Sequence, residues 1–110
     1  MLYDGALRFM EAGKHAMQEK DLEKQSQNLQ RAQRIVMELM SALDMTAGGD
    51  ISKNLLALYT YVLDQLVQAN LKDDPTGVDR SIQVFSDLRE SWVTVENKVR
   101  ENRLSENNAA

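Results

Sequence analysis

Apolar residues recur along the chain at steps of three and four, the spacing that places them on one face of an α-helix. Two such stripes predict helices over residues 1–20 and 22–45, with Asp21 as the N-cap of the second. A wider apolar face predicts a third helix over residues 51–71, in contact with two neighbours. A fourth stripe has a seven-residue repeat and predicts a buried indole; its members are Val78, Ile82, Phe85, Leu88, Trp92, Val95 and Val99.

Short turn-forming segments separate these stripes. Gly48 and Gly49 favour a chain reversal, and Asp50 is predicted to cap the third helix. Thr76 and Asp79 have the spacing of a capping box for the fourth helix. Because short connections make consecutive helices run in opposite directions, the sequence predicts an all-α fold, an antiparallel up-down-up-down four-helix bundle. We expect one domain over residues 1–104 and a polar, disordered tail over residues 105–110.

Composition narrows the class of protein. A chain of 110 residues with 43% hydrophobic content suits a single domain, and the absence of cysteine excludes disulfides and cysteine zinc sites. The net charge is −4 and basic residues form no stripe, which argues against nucleic-acid binding. Apolar runs fall short of the ~20 residues that cross a bilayer. We therefore expect a cytoplasmic protein without membrane insertion.

The sequence offers little for catalysis. It contains no phosphate-binding loop or nucleophile elbow, so we expect no enzyme activity and no cofactor. Glu11 and His15 share a helix face, but a metal site in a bundle requires further ligands on facing helices, and none is predicted. A phosphotransfer domain centred on His15 remains an alternative, although a surface histidine is favoured. For Asp4 and Asp44, helix-dipole and backbone-bonding roles are favoured over acid–base chemistry.

Methionine is abundant, with six residues in the chain. Its flexible side chain fills gaps in cores, and it also recurs on surfaces that accept amphipathic helices of varied sequence. Composition leaves both interpretations open. Five methionines fall within the first two predicted helices, Met1, Met10, Met17, Met37 and Met40, and the sixth, Met45, lies at the approximate end of the second.

Residues 2–9, Leu-Tyr-Asp-Gly-Ala-Leu-Arg-Phe, resemble the opening signature of the FliS family of flagellar secretion chaperones. Further matches in the family's order and spacing extend the resemblance to residue 92: Leu43-Asp44, Gly48-Gly49-Asp50-Ile51, Asn54-Leu55, Leu58-Tyr59 with Tyr61, Ala69-Asn70, and Leu88 with Trp92. The resemblance implies a cytoplasmic, non-enzymatic export chaperone that binds the disordered C-terminal region of flagellin and prevents premature polymerisation. It also implies delivery of flagellin to FlhA, the gate protein of flagellar type III secretion. The alternative is another helical adaptor or secretion chaperone.

A client-facing set of apolar residues is expected on the first and third helices. In the family, a leader segment precedes the position of Leu2 and covers part of the client groove, whereas this sequence begins at Met1. We therefore expect an open groove and self-association through it, for example as a homodimer. The predicted client-facing set consists of Leu2, Leu7, Met10, Leu55, Leu58, Tyr59 and Val62. Several of its members are expected to belong to the core instead, and the sequence does not distinguish which.

Overall fold

The computed structural model describes the backbone of residues 2–109 and the side chains of residues 2–92, 101 and 104. The described backbone forms four helices: α1 (Leu2–Gln18), α2 (Leu22–Ser41), α3 (Gly49–Lys72) and α4 (Pro75–Ala109). The predicted all-α class is confirmed. None of these helices, within the described residues, is long and apolar enough to span a membrane.

Neighbouring helices pack around a square, in which α1 and α3 each contact both α2 and α4. Lys14, near the end of α1, forms an ion pair of 2.6 Å with Asp79 in the first turns of α4. Asp4, at the start of α1, instead meets Arg89 further along α4. The two helices therefore run in opposite directions.

A buried glutamine near the start of α2 joins this helix to the end of α3. The Nε2 of Gln25 donates to the side-chain oxygen of Asn70 at 3.1 Å and to that of Asp73 at 2.8 Å. Gln25 lies in the first turn of α2 and Asn70 in the last turn of α3, so these two helices are also antiparallel. The predicted up-down-up-down four-helix bundle is confirmed.

The core runs along the bundle axis and is filled by all four helices. Phe85 is the largest fully buried side chain, and the rings of Tyr3 and Tyr59 meet it edge to face at centroid distances of 5.4 and 6.0 Å. Burying aromatic rings in this geometry stabilises the bundle beyond the apolar area alone. The other side chains with no exposed surface are Ala6, Met10, Leu29, Ala32, Val36, Val62, Leu66, Val78 and Ser81.

Two of the three predicted helix starts are different in the structure. Asp21 caps α2 as predicted, because its Oδ1 accepts from the Lys24 amide at 3.1 Å. The prediction that Asp50 caps α3 is wrong: Gly48 is the N-cap, and Asp50 lies inside the first turn. There it faces the positive end of the helix dipole, which also favours an acidic residue.

The start of α4 lies earlier than the predicted capping box. Asp74 Oδ1 accepts from the Thr76 amide at 2.9 Å, and Pro75 occupies the first helical position. Proline suits that position because the amide it lacks has no partner inside the helix. The prediction that Thr76 and Asp79 form the cap is therefore wrong.

The far part of α4 is described only as backbone, which is helical through Ala109. At 1.5 Å per residue its 35 residues span about 52 Å, against about 36 Å for the 24 residues of α3. Val95 and Val99 of the predicted repeat lie outside the described side chains, and Met1 and Ala110 outside the described residues. The predicted domain boundary after residue 104 and the disordered tail at 105–110 stay predictions.

Candidate binding groove at one end of the bundle

An open apolar groove of about 500 Å³ lies where α1 and α3 begin and α2 ends. We call it the end groove. All four helices contribute to its lining, which consists of Leu2, Tyr3, Leu39, Ala42, Leu43, Leu55, Tyr59, Leu88, Ser91 and Trp92. A concave apolar surface of this kind is typical of a binding site.

The leucines of the end groove belong to the same stripes that build the core. Leu39, Leu43, Leu55 and Leu88 are half-buried, each packed against the core cluster while also lining the groove. At this level of the bundle the stripes from four helices converge, and among the described side chains no further layer lies over them. The groove is thus the uncovered end of the core.

The turn between α2 and α3 shapes one edge of the groove. Asp44 Oδ1 accepts from the amides of Thr46 and Ala47 at 3.0 and 2.8 Å, and its carbonyl oxygen accepts from Ser52 Oγ at 2.9 Å. The bond from Ser52 ties Asp44, which follows the lining residue Leu43, to the start of α3. The predicted backbone-bonding role of Asp44 is confirmed, although α2 ends at Ser41 rather than near residue 45.

Trp92 stands at the mouth of the groove. The prediction of a buried indole is wrong, because 47% of the residue is exposed. Trp92 continues the stripe of Phe85 but lies seven residues further along α4, about 10 Å beyond the core layer that covers the phenylalanine. An exposed indole beside an apolar groove offers a large contact surface to a partner.

A pair of tyrosines bridges the groove across the diagonal of the bundle. The hydroxyl oxygens of Tyr3 on α1 and Tyr59 on α3 lie 2.5 Å apart. Tyr59 is only 3% exposed, whereas Tyr3 is half-buried. Burial, together with the bond to Tyr3, raises the pKa of Tyr59 far above the usual range of tyrosine. The Tyr59 hydroxyl therefore keeps its proton.

An ion pair lies beside the groove, next in sequence to two lining residues. Arg89 Nε donates to Asp4 Oδ1, which joins the first turn of α1 to α4. This bond lowers the pKa of the Asp4 carboxyl. Both side chains are nearly half exposed, so the pair contributes little to the stability of the fold.

The structure separates the predicted client-facing set into three groups. Leu2, Leu55 and Tyr59 line the end groove. Leu58 is 38% exposed on α3 but outside this lining, and Leu7 is half-buried against the core. Met10 and Val62 have no exposed surface.

Sequence reasoning missed seven of the ten lining residues as site residues: Tyr3, Leu39, Ala42, Leu43, Leu88, Ser91 and Trp92. Four of these seven were among the family matches, but their helical spacing is the same as that of core residues. The signal was their position near the ends of the stripes, where the core closes. The methionines are likewise divided, since Met10 and Met17 are buried while Met37 and Met45 are 45% and 42% exposed.

The geometry gives no further support to the two alternative sites, a phosphotransfer centre at His15 and a metal site. His15 is exposed, as predicted for a surface histidine, and its Nε2 lies 3.2 Å from Glu19 Oε1 on the same helix. Within the described part of the chain, no three His, Asp or Glu side chains are placed to hold a metal ion.

Comparison with known proteins gives consistent matches over most of the chain. Residues 1–99 match the family model described as flagellar protein FliS. The flagellar secretion chaperone FliS of Vibrio cholerae is 38% identical over 92 residues, covering 84% of this chain and 68% of the relative. The protein of the same name from Bacillus subtilis is 36% identical over 93 residues, with the same coverage. That of Campylobacter jejuni is 35% identical over 97 residues, covering 88% and 76%.

Proposed function

The chain belongs to the FliS family of flagellar secretion chaperones, and from this premise we propose that it binds the C-terminal region of flagellin, with the end groove as the anchor site. The observation that carries the proposal is the convergence of apolar side chains from four helices on an uncovered groove with an exposed Trp92 at its mouth. The relatives of this chain are named as chaperones, and the role proposed here is likewise non-enzymatic.

Apolar burial supplies the driving force. A flagellin segment that polymerises through amphipathic helices exposes an apolar stripe while monomeric, and helix-in-groove binding buries such a stripe at i, i+3, i+4 and i+7 positions. Each large side chain that enters the groove contributes about 1.5–3 kcal/mol. Ordering a disordered client opposes this gain, so the contact must extend beyond one groove.

A second, smaller cleft of about 280 Å³ between α2 and α3 offers that extension. It combines the exposed Met37 and Leu71 with Val67, among glutamine, asparagine and arginine side chains. We assign to it the less apolar part of the client. Leu58, exposed on α3, lies outside both linings and remains in the client-facing set.

Occupying the polymerising segment of flagellin would prevent premature filament assembly in the cytosol, where flagellin is made. The bound, unpolymerised client would then be delivered to FlhA at the type III export gate. The same groove, when empty, would support self-association of the chaperone.

Calorimetric titration with a synthetic peptide spanning the C-terminal region of flagellin from the same organism tests this function. Trp92 is the single tryptophan, so its fluorescence reports on the groove directly. We expect binding heat and a blue shift of the emission as the indole leaves water. A peptide of the same composition in scrambled order is the control.

A pair of variants on α3 separates the groove from general surface effects. Leu55→Asp places a charge in the lining and should abolish binding, while Ile51→Asp, at a residue 73% exposed and outside the lining, should leave it unchanged. Absence of heat and of any emission change with the flagellin peptide would overturn the proposal. If segments of other secretion substrates bound instead, the chain would be a different helical adaptor.

A further inference from the structure

The end groove contains a hydrogen-bond donor that the fold does not use. Each tyrosine hydroxyl has one O–H to donate, but the single bond between Tyr3 and Tyr59 uses only one of the two. Within the described side chains, neither hydroxyl has another partner in this structure. One O–H group of the pair is therefore left to donate elsewhere.

Burial decides which of the two tyrosines has the O–H group without a partner in the fold. Tyr59 is 3% exposed and packs its ring on Phe85, so its own O–H must be satisfied inside the protein. Donation from Tyr59 to Tyr3 meets that requirement, whereas the reverse arrangement leaves a buried donor unpaired. Tyr3 is half-buried in the groove lining, where its proton is accessible to water or to an occupant.

We propose that the Tyr3 hydroxyl, oriented by Tyr59, is a specificity-determining donor of the end groove, selecting a client segment that presents a free main-chain carbonyl oxygen among apolar side chains. This inference rests on the proposed flagellin-binding function and defines the chemistry of the bound segment. Carbonyl oxygens inside a helix are already bonded, so the acceptor belongs to the last turn of a helix or to an extended stretch.

The apolar surroundings give the donor its selectivity. An occupant that displaces water from the groove without offering an acceptor leaves the Tyr3 O–H unpaired in a desolvated site, which is costly. An occupant with a carbonyl at that position replaces the lost water bond by a stronger one in a low-dielectric environment. Apolar fit alone discriminates weakly between amphipathic segments, whereas a buried polar group rejects those that fail to pair with it.

Three Tyr→Phe variants test the inference with the flagellin peptide in calorimetry. Tyr3→Phe keeps the ring and removes the donor, so we expect about a tenfold weaker Kd, which corresponds to about 1.4 kcal/mol. Tyr59→Phe removes only the orienting partner, and we expect a loss below about threefold because Tyr3 still donates. Tyr61→Phe, 42% exposed on α3 and outside the groove lining, is the matched control and should bind as the native chain does.

A second measurement changes the acceptor in the client instead of the donor in the groove. Client peptides that carry a single thioamide, a weaker acceptor than an amide, are titrated position by position against the native chain and Tyr3→Phe. One position should weaken binding to the native chain but not to the variant, which would identify the accepting carbonyl.

The outcomes separate this inference from the function beneath it. Equal losses of affinity in Tyr3→Phe and Tyr59→Phe would mean that the tyrosine pair only holds the fold together. The same conclusion would follow if no thioamide position distinguished the native chain from Tyr3→Phe. Native affinity in Tyr3→Phe would overturn the inference directly. In each of these cases flagellin binding itself would stand. No binding by the native chain would overturn both proposals.

Discussion

Gly13 on α1 faces Leu29 on α2 so closely that a Cβ atom at residue 13 would lie 2.5 Å from Leu29 Cδ2 and 2.8 Å from its Cγ. Leu29 is fully buried, so its side chain has no free space into which to retreat. Gly13→Ala should therefore destabilise the bundle by about 1–3 kcal/mol through overpacking, despite the better helix propensity of alanine. Urea unfolding followed by circular dichroism measures the change.

Gly5 provides the matched control on the same helix. A Cβ at residue 5 would lie 3.4 Å from Ile35 Cδ1, an ordinary contact. Gly5→Ala should therefore stabilise the protein by about 0.5–1 kcal/mol, the usual gain of replacing glycine within a helix. Equal effects of the two substitutions would show that the α1–α2 contact is looser than the structure has it.

The helices and their order could be predicted from the sequence, but one helix start and the contact between Gly13 and Leu29 could not. Helical periodicity predicted four helices and their antiparallel order, because amphipathic stripes and short connections leave few other arrangements. It did not locate the α4 start at Asp74, since several acidic and hydroxyl residues nearby are all competent caps. The contact of Gly13 with Leu29 depends on the rotation of two helices about their axes, which no local pattern specifies.

The end groove was predictable only in part for a related reason. Phe85 and Trp92 have identical positions in the seven-residue repeat, yet one is fully buried and the other is 47% exposed. Their difference is height along the bundle, which depends on where α2 stops and α3 starts. The Tyr3–Tyr59 bond joins residues 56 apart in sequence and has no local signature at all.

The N-cap of α4 should make stability depend on pH. The Thr76 amide donates to Asp74 and lowers the pKa of its carboxyl below the ordinary value of 3.8. A carboxyl whose pKa is depressed by folding stabilises the native state above its unfolded pKa, and this contribution is lost as pH falls through the folded pKa. Stability should therefore decrease below about pH 4. Asp74→Asn keeps a capping oxygen without titrating, so its urea midpoint should fall less steeply over that range; an unchanged slope would contradict the assignment.

Trp92 should matter more for binding than for folding. Because its indole is half exposed, Trp92→Ala is expected to lower the free energy of unfolding by about 1 kcal/mol or less, whereas Phe85→Ala should cost about 3–5 kcal/mol. The affinity for the flagellin peptide should fall more than tenfold in Trp92→Ala, as for a central aromatic contact. Chemical unfolding and calorimetry on the same samples compare the two. A loss of several kcal/mol in stability for Trp92→Ala would place the indole in the core after all.

The uncovered groove should also cause self-association. Two copies that bring their end grooves together remove Leu2, Leu55 and Trp92 from water, and the burial of each large side chain contributes about 1.5–3 kcal/mol before the cost of association. Sedimentation velocity should show a concentration-dependent dimer in the native chain. Leu55→Asp should be monomeric and Ile51→Asp should behave as the native chain.

Because the client and the second copy would compete for one surface, saturating flagellin peptide should convert the dimer to a complex of one chaperone with one peptide. A strict monomer at high concentration, or a dimer that persists unchanged with bound peptide, would place self-association elsewhere or exclude it.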